Sequence, residues 1–216
     1  GSWWTGAERV AIAAESRAAW QCRACQARRQ ALSPELPAER HDTHGALPQR
    51  AVDAVHRVVT DPSRITRRWV DGHPTQGLSK PAYVELLGVV VAVLSIDEFH
   101  RALGLPPEPL PDPRPGEPDH HLPAVRVEDM GFVPTIPPHG AVGPEAGLWP
   151  AGRSAHVIRA LSLVPQALRD WLQLASAQYL SVEGMANLVR DAHRAIDRKQ
   201  MELVAARVAA LNGCYY

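Results

Sequence analysis

Proline is distributed very unevenly along the chain, and its placement limits where helices can form. Thirteen of the 20 prolines fall between residues 105 and 150. Proline lacks a backbone N–H, and its ring clashes with the preceding helical turn, so this segment is neither a regular helix nor a central strand. A structureless stretch of this length is unusual inside a compact domain. We therefore predict an extended Pro-rich arm over 105–150 that wraps a neighbour or joins a first segment, 1–104, to a second, 151–216.

The segments on either side of the arm carry helical signals and almost no strand-like alternation. Thr5 and Glu8 have the spacing of a capping box, and no Pro or Gly interrupts the chain from Glu8 to Leu32. The pattern of apolar residues and breakers predicts one helix, or two end to end, over 8–32. It predicts further helices over 51–60, 63–70, 81–103, 154–163, 165–180, 182–193 and 196–211. We therefore predict an all-α fold.

The most apolar of these helices, 81–103, follows the N-cap residue Ser79 and precedes the stop signals Gly104 and Pro106. Its apolar core runs only from Ala82 to Ile96, whereas a membrane-spanning helix needs about 20 residues. We therefore predict a buried core helix and no membrane partner.

Charge and cysteine content narrow the classes of partner and compartment. Lys plus Arg and Asp plus Glu each number 23, so the formal net charge is zero. No basic tract exceeds two residues, which argues against a nucleic-acid surface. Three cysteines are too few for a disulfide framework in a chain of this size, and the first residues show no signal-peptide pattern. We therefore expect a cytoplasmic protein with reduced thiols.

Cys22 and Cys25 form a complete Cys-x-x-Cys motif. On one helical turn their Cα atoms lie about 5–6 Å apart, a separation that a disulfide spans. One cysteine would attack as the thiolate, favoured by neighbouring arginines, and the other would resolve the intermediate. Glu15, two helical turns before Cys22, is the candidate proton acceptor, acting through a water.

Two other interpretations of this pair remain open, namely half of a zinc site or two buried, inert thiols. A closed zinc site needs four ligands, and no second cysteine pair or His-x₃-His accompanies this one. His41 and His44 lie in a Pro-rich stretch, so we expect them to be solvated. His56 is predicted on a helix, where a lone histidine is more often structural than a ligand. We therefore predict no metal ligand and no cofactor.

A third cysteine, Cys214, lies near the end of the sequence. Asn212 and Gly213 end a helix, so Cys214 is predicted to open the next one, where free N–H groups and the helix dipole lower a thiol pKa. Glu202, twelve residues upstream, is its candidate proton acceptor. The alternative is a helix C-cap followed by an ordinary buried cysteine.

The stretch from Glu202 through Ala-Ala-Arg-Val-Ala-Ala-Leu-Asn-Gly to Cys214-Tyr-Tyr resembles the alkylhydroperoxidase AhpD-like / carboxymuconolactone decarboxylase superfamily. Redox members of that family carry a Glu, then Cys-x-x-Cys twelve residues later, then a His four beyond the second Cys. Glu202 and Cys214 match the first two positions. The helix from Leu78 to Gly104 and the phrase Arg159–Pro165 are similar to the helices that follow and precede the family's Cys helix.

The first half of the chain departs from the family pattern. Cys22 and Cys25 are present, but Arg29 stands in place of the His and Val10 in place of the Glu. The resemblance covers the chain outside the Pro-rich arm. It implies an AhpD-like helical bundle of two related halves that assembles into a homo-oligomer.

The resemblance implies thiol-dependent reduction of a hydroperoxide. A Cys thiolate would attack the peroxide oxygen, a sulfenic acid would condense with the partner Cys, and an external dithiol reductant would restore the pair. Cys214 with Glu202 is the favoured site, and Cys22 with Cys25 is a second or vestigial pair. Two alternatives are a carboxymuconolactone-decarboxylase-like enzyme that does not use cysteine redox, and a non-catalytic helical assembly protein.

Overall fold

The computed structural model describes residues 3–33, 40–43, 45, 47–129, 131–149, 152, 154–180, 184 and 194–214. Within these residues the α-helices are α1 (Gly6–Ala18), α2 (Arg23–Gln30), α3 (Gln49–Thr60), α4 (Arg67–Asp71), α5 (Lys80–Ala102), α6 (His156–Arg159), α7 (Pro165–Gln178) and α8 (Arg198–Leu211). The β-type pairing among them is a single bridge between Val127 and Thr135. The all-α prediction is confirmed, whereas the AhpD-like bundle of two related halves stays a prediction.

The chain divides into two compact units, Gly1–Trp171 and Leu172–Tyr216. The first unit contains α1 to α6 and the start of α7. The second contains the end of α7 and α8.

The first helix begins where its capping signal predicts. The Thr5 side chain accepts from the backbone N–H of Glu8, and the Glu8 carboxylate accepts from the backbone N–H of Thr5 at 2.8 Å. The helix ends at Ala18, and a 3₁₀ turn leads to Cys22, whose extended backbone caps α2. The predicted stretch 8–32 is therefore two helices with a break just before the Cys-x-x-Cys motif.

Helix α5 is the centre of the first unit. Ser79 caps it through a hydrogen bond from the backbone N–H of Ala82, and the chain turns away at Gly104, whose φ of +71° suits glycine. It packs against α1 and α3, which also pack against each other. Buried apolar side chains such as Ile12, Val55 and Leu86 fill the space between them. None of the described helices combines the length and the apolarity needed to cross a membrane.

Two of the shorter predicted helices are only partly helical in the structure. The stretch 63–70 becomes a 3₁₀ turn at Pro62–Arg64 followed by α4, and the stretch 154–163 contains only the four-residue α6. The helix predicted over 182–193 falls almost entirely outside the described residues. In the described part of the arm, regular structure is limited to short 3₁₀ turns and the bridge, as its proline content predicts.

Candidate metal centre

Two cysteines and two histidines converge in the first unit. The Sγ atoms of Cys22 and Cys25 and one ring nitrogen each of His41 and His56 all lie within 4.8 Å of one another. All four residues are buried, and His56 is fully enclosed. Two sulfur atoms and two ring nitrogens, all able to ligate a metal ion, therefore lie close together and away from solvent.

Three separate segments deliver these side chains. Cys22 caps α2 and Cys25 lies in its first turn, so one short helix places both thiols. His41 comes from the loop before α3, and His56 comes from α3 itself. On α3 it lies one turn beyond Val52, on the face that the helix buries. Apolar burial of α3 thus carries His56 into the site.

The distances between donor atoms are short. Nδ1 of His41 lies 3.7 Å from Sγ of Cys22 and 3.4 Å from Sγ of Cys25. Nδ1 of His56 lies 3.2 Å from Sγ of Cys25. A tetrahedral zinc ion with ordinary Zn–S and Zn–N bonds separates its sulfur and nitrogen ligands by about 3.5 Å. The three sulfur–nitrogen distances therefore lie within about 0.3 Å of the value in a tetrahedral S₂N₂ ligand set.

Each histidine turns its other ring nitrogen towards a carboxylate. Nε2 of His56 lies 2.8 Å from Oε1 of Glu15, and Nε2 of His41 lies 3.1 Å from Oδ1 of Asp53. The Thr43 hydroxyl also donates to Glu15, at 3.1 Å. A carboxylate beside Nε2 keeps the ring proton on Nε2, so the lone pair of Nδ1 is available to a metal ion. This arrangement is typical of histidines that ligate a metal.

The pKa values of the site follow from burial and from these contacts. Burial opposes ionisation of Cys22, but the backbone N–H of Cys25 and the ring of His41 outweigh it and lower the Cys22 pKa. Burial also disfavours the charged form of His41, yet the contacts with Asp53 and the two cysteines raise its pKa to about 10. For His56 burial dominates and lowers the pKa, against the pull of Glu15. Without a metal ion, His41 is charged at neutral pH, and the pKa of the adjacent Cys22 thiol is lowered.

Asp53 holds the charged groups around the cluster together. Its carboxylate accepts from Arg28 at 3.4 Å, from Arg50 at 3.1 Å and from the Trp69 indole at 3.3 Å, in addition to His41. Burial raises its pKa, but the His41 hydrogen bond and the charges of Arg28 and Arg57 outweigh it and set the pKa to about 2. Asp53 is therefore ionised at every physiological pH.

The sequence predicted Cys22 and Cys25 as site residues but neither histidine of the cluster. The expectation that His41 is solvated is wrong, because its side chain is buried against Cys22 and Cys25. His44 lies outside the described residues. Glu15 was expected to act on Cys22 through a water, and the structure places its carboxylate against His56. The one signal in the sequence was His56 on the apolar face of α3.

The other predicted pair, Cys214 and Glu202, belongs to the second unit. Cys214 follows α8 and is exposed, so the alternative of an ordinary buried cysteine there is wrong. Glu202 lies on α8, where its carboxylate accepts from the Tyr179 hydroxyl at 2.7 Å and pairs with Arg198. The helix that Cys214 was predicted to open would need residues 215–216, which lie outside the described residues. A thiol activated by that helix stays a prediction.

No protein-family model, curated protein or solved structure matches the chain. The resemblance to the AhpD-like superfamily therefore stays a prediction, and the chemistry of the side chains carries the functional argument.

Proposed function

We propose that this chain is a zinc protein in which Cys22, Cys25, His41 and His56 bind one Zn²⁺ ion. The observation that supports the proposal is the convergence of four donor atoms within 4.8 Å in a fully buried cluster. Two thiolates and two imidazoles form a common ligand set for zinc, and a tetrahedral S₂N₂ site favours it over Mg²⁺ or Ca²⁺, which prefer oxygen ligands.

The proposed role of the ion is structural. Four protein ligands complete a tetrahedral shell, whereas a catalytic zinc keeps one position for water or substrate. The apolar cluster around the two cysteines is small and consists of Cys22, Ala24 and Cys25. Helix α2 has only eight residues, too few to be stable alone. A zinc ion would tie it to α3 through His56.

Metal analysis of the full chain, purified under reducing conditions, tests the proposal. We expect about one zinc per chain, and we expect cobalt to replace it with the intense visible absorption of a tetrahedral thiolate site. Cys25→Ser should lose both signals. Cys214→Ser is the matched control and should keep them, because Cys214 is an exposed thiol in the other unit. Absence of stoichiometric zinc, or a Cys25→Ser variant that binds it as tightly as the parent chain, would refute the proposal.

A second candidate function is the thiol-dependent reduction of hydroperoxides by Cys22 and Cys25. One observation favours it. Oε1 of Glu15, the ring of His56 and Sγ of Cys25 form a chain with contacts of 2.8 and 3.2 Å, which is a geometry suited to moving a proton. The thiolate would take one oxygen from ROOH to give sulfenic acid and ROH, and the second thiol would then form the disulfide and release water. An external dithiol would reduce the disulfide.

Thiol titration of the Cys214→Ser variant separates the two functions, because Cys22 and Cys25 are its only cysteines. A zinc protein should keep both thiols during brief exposure to tert-butyl hydroperoxide and should lose them only after chelation of the metal. A peroxidase should lose both rapidly as purified and recover them with a dithiol. Glu15→Gln should slow that loss if the proton chain operates.

A further inference from the structure

A large cavity lies in the first unit, and its lining residues differ from those of the four-ligand cluster. Helices α1 and α5, the start of α7 and the Pro-rich arm line this cavity, which is partly open to solvent and has a volume of about 750 Å³. Pockets that bind small organic molecules occupy about 300–1,000 Å³. None of the four proposed zinc ligands lines this cavity.

The walls of the cavity are apolar helix faces. Val10 and Ala13 lie one turn apart on α1, and Val89, Val93 and Ile96 lie one turn apart on α5. The α5 residues are only partly buried, although this helix is the most apolar in the chain. The cavity thus leaves an apolar surface available to a ligand.

Two glycines allow the surrounding segments to approach closely. A Cβ atom on Gly6 would lie 2.0 Å from the carbonyl oxygen of Arg114, so the arm rests directly on the first turn of α1. A Cβ atom on Gly88 would lie 3.0 Å from that of Ala167, where α5 meets α7. Arg17 closes one end, since its guanidinium binds both carboxylate oxygens of Asp97 and the backbone carbonyl of Glu108. The arm therefore packs directly on α1 and is hydrogen-bonded to it through Arg17.

The charges around the cavity are unbalanced. Six carboxylates and three arginines line it, so negative charge exceeds positive by three. Arg17 is fully engaged with Asp97, and Arg9 lies 3.7 Å from Glu85 and 3.6 Å from Asp170. A cleft with an excess of one sign concentrates ligands of the opposite sign.

An aromatic side chain adds a second feature that suits a cation. Trp171, in the middle of α7, lines the cavity and is half-buried. The face of an indole ring attracts ammonium groups. Apolar walls, excess carboxylates and an indole together match an amine that carries an apolar body.

We propose that this cavity binds an organic cation, with an alkyl or aryl body between α1 and α5 and an ammonium group held by the carboxylates and Trp171. The ligand is therefore an amphiphilic amine, and it binds to residues other than the four proposed zinc ligands.

Titration calorimetry with three probes of equal length tests the proposal on the full chain. Octylamine, octanol and octanoate share one apolar chain and differ only in the charge of the head group. We expect octylamine to bind about tenfold more tightly than octanoate at low salt, with octanol between them, and we expect added salt to reduce the difference.

Two variants probe the two features of the cavity. Ala92→Trp should abolish binding of all three probes by filling the space between α1 and α5, and Trp171→Leu should weaken octylamine about fivefold while leaving octanol nearly unchanged. Glu98→Gln is the matched control, since Glu98 is an exposed carboxylate of α5 that does not line the cavity. If Ala92→Trp fails to fold, Trp171→Leu decides. Absence of octylamine binding, equal affinity for octanoate, or unchanged binding in a folded Ala92→Trp variant would overturn the proposal.

Discussion

Asp53→Asn is the most informative single substitution in the first unit, because it changes charge and barely changes shape. The Asp53 carboxylate accepts from His41, Arg28 and Arg50 and from the Trp69 indole. The amide of asparagine offers one acceptor oxygen in place of two, and its NH₂ group would face a guanidinium or indole N–H donor.

The expected cost follows from these contacts. Removing one partner of a buried charge pair typically destabilises a protein by about 3–5 kcal/mol. The Asp53 side chain keeps 19% exposure and asparagine retains one acceptor, so we expect a loss of about 3 kcal/mol in the free energy of unfolding. Loss of the carboxylate on a metal-bound histidine commonly weakens metal binding by about 10- to 100-fold, and we expect a zinc affinity reduced within that range.

Urea unfolding of zinc-loaded protein measures the first quantity, and competition with a coloured chelator measures the second. Asp42→Asn is the matched control, since Asp42 adjoins His41 in sequence but pairs with Arg23 in solvent, where ion pairs contribute little. Asparagine can still accept from the backbone N–H of Arg23, as Asp42 does. Both measurements should hardly change in that variant. If Asp53→Asn behaves like Asp42→Asn in unfolding and in zinc affinity, Asp53 does not hold His41 in place and the reasoning fails.

Two further predictions concern packing and pH. Gly6→Ala should lower the free energy of unfolding by about 1–3 kcal/mol and expose the arm to proteolysis, because the new Cβ would collide with the carbonyl of Arg114; unchanged stability and cleavage would contradict this contact. His73 is buried and accepts from Arg50 Nε at 2.7 Å, and burial, with the charge of Arg50, lowers its pKa from 6.5 to about 4. Because the unfolded chain binds this proton first, the free energy of unfolding should fall by roughly 3 kcal/mol as pH drops from 6.5 to 4. His73→Asn should flatten that slope relative to the parent chain in parallel urea titrations, and equal slopes would rule His73 out; any loss of zinc in the same range affects both chains alike.

Signals that act over a few residues were predicted well from the sequence. The capping box of Thr5 and Glu8, the N-cap of Ser79 and the breaker Gly104 define helix ends in the structure where local chemistry places them. Weaker signals failed over 154–163, where only a four-residue helix forms and the apolar Val157 is exposed.

The candidate metal site was only half visible in the sequence. The Cys-x-x-Cys spacing identifies Cys22 and Cys25 as a pair, whereas His41 and His56 lie 16 and 31 residues beyond Cys25. The prolines around His41 favoured an exposed loop, and this led to the wrong prediction that His41 is solvated. Its burial depends on Asp53 and the two cysteines, which are distant along the chain or on other elements.

The sequence by itself determined the helical class, the ends of the main helices and the Pro-rich arm, because caps, prolines and glycines act on their immediate neighbours. Only the tertiary structure decided the four-ligand cluster and the cavity under the arm. Burial of the apolar faces of α1, α3 and α5 brings His56 to Cys25 and Glu15, and residues of α1 and α5 that face the arm line the cavity. Apolar burial is non-directional, so a pattern of apolar residues fixes which face of a helix is covered and leaves open which polar groups meet beneath it.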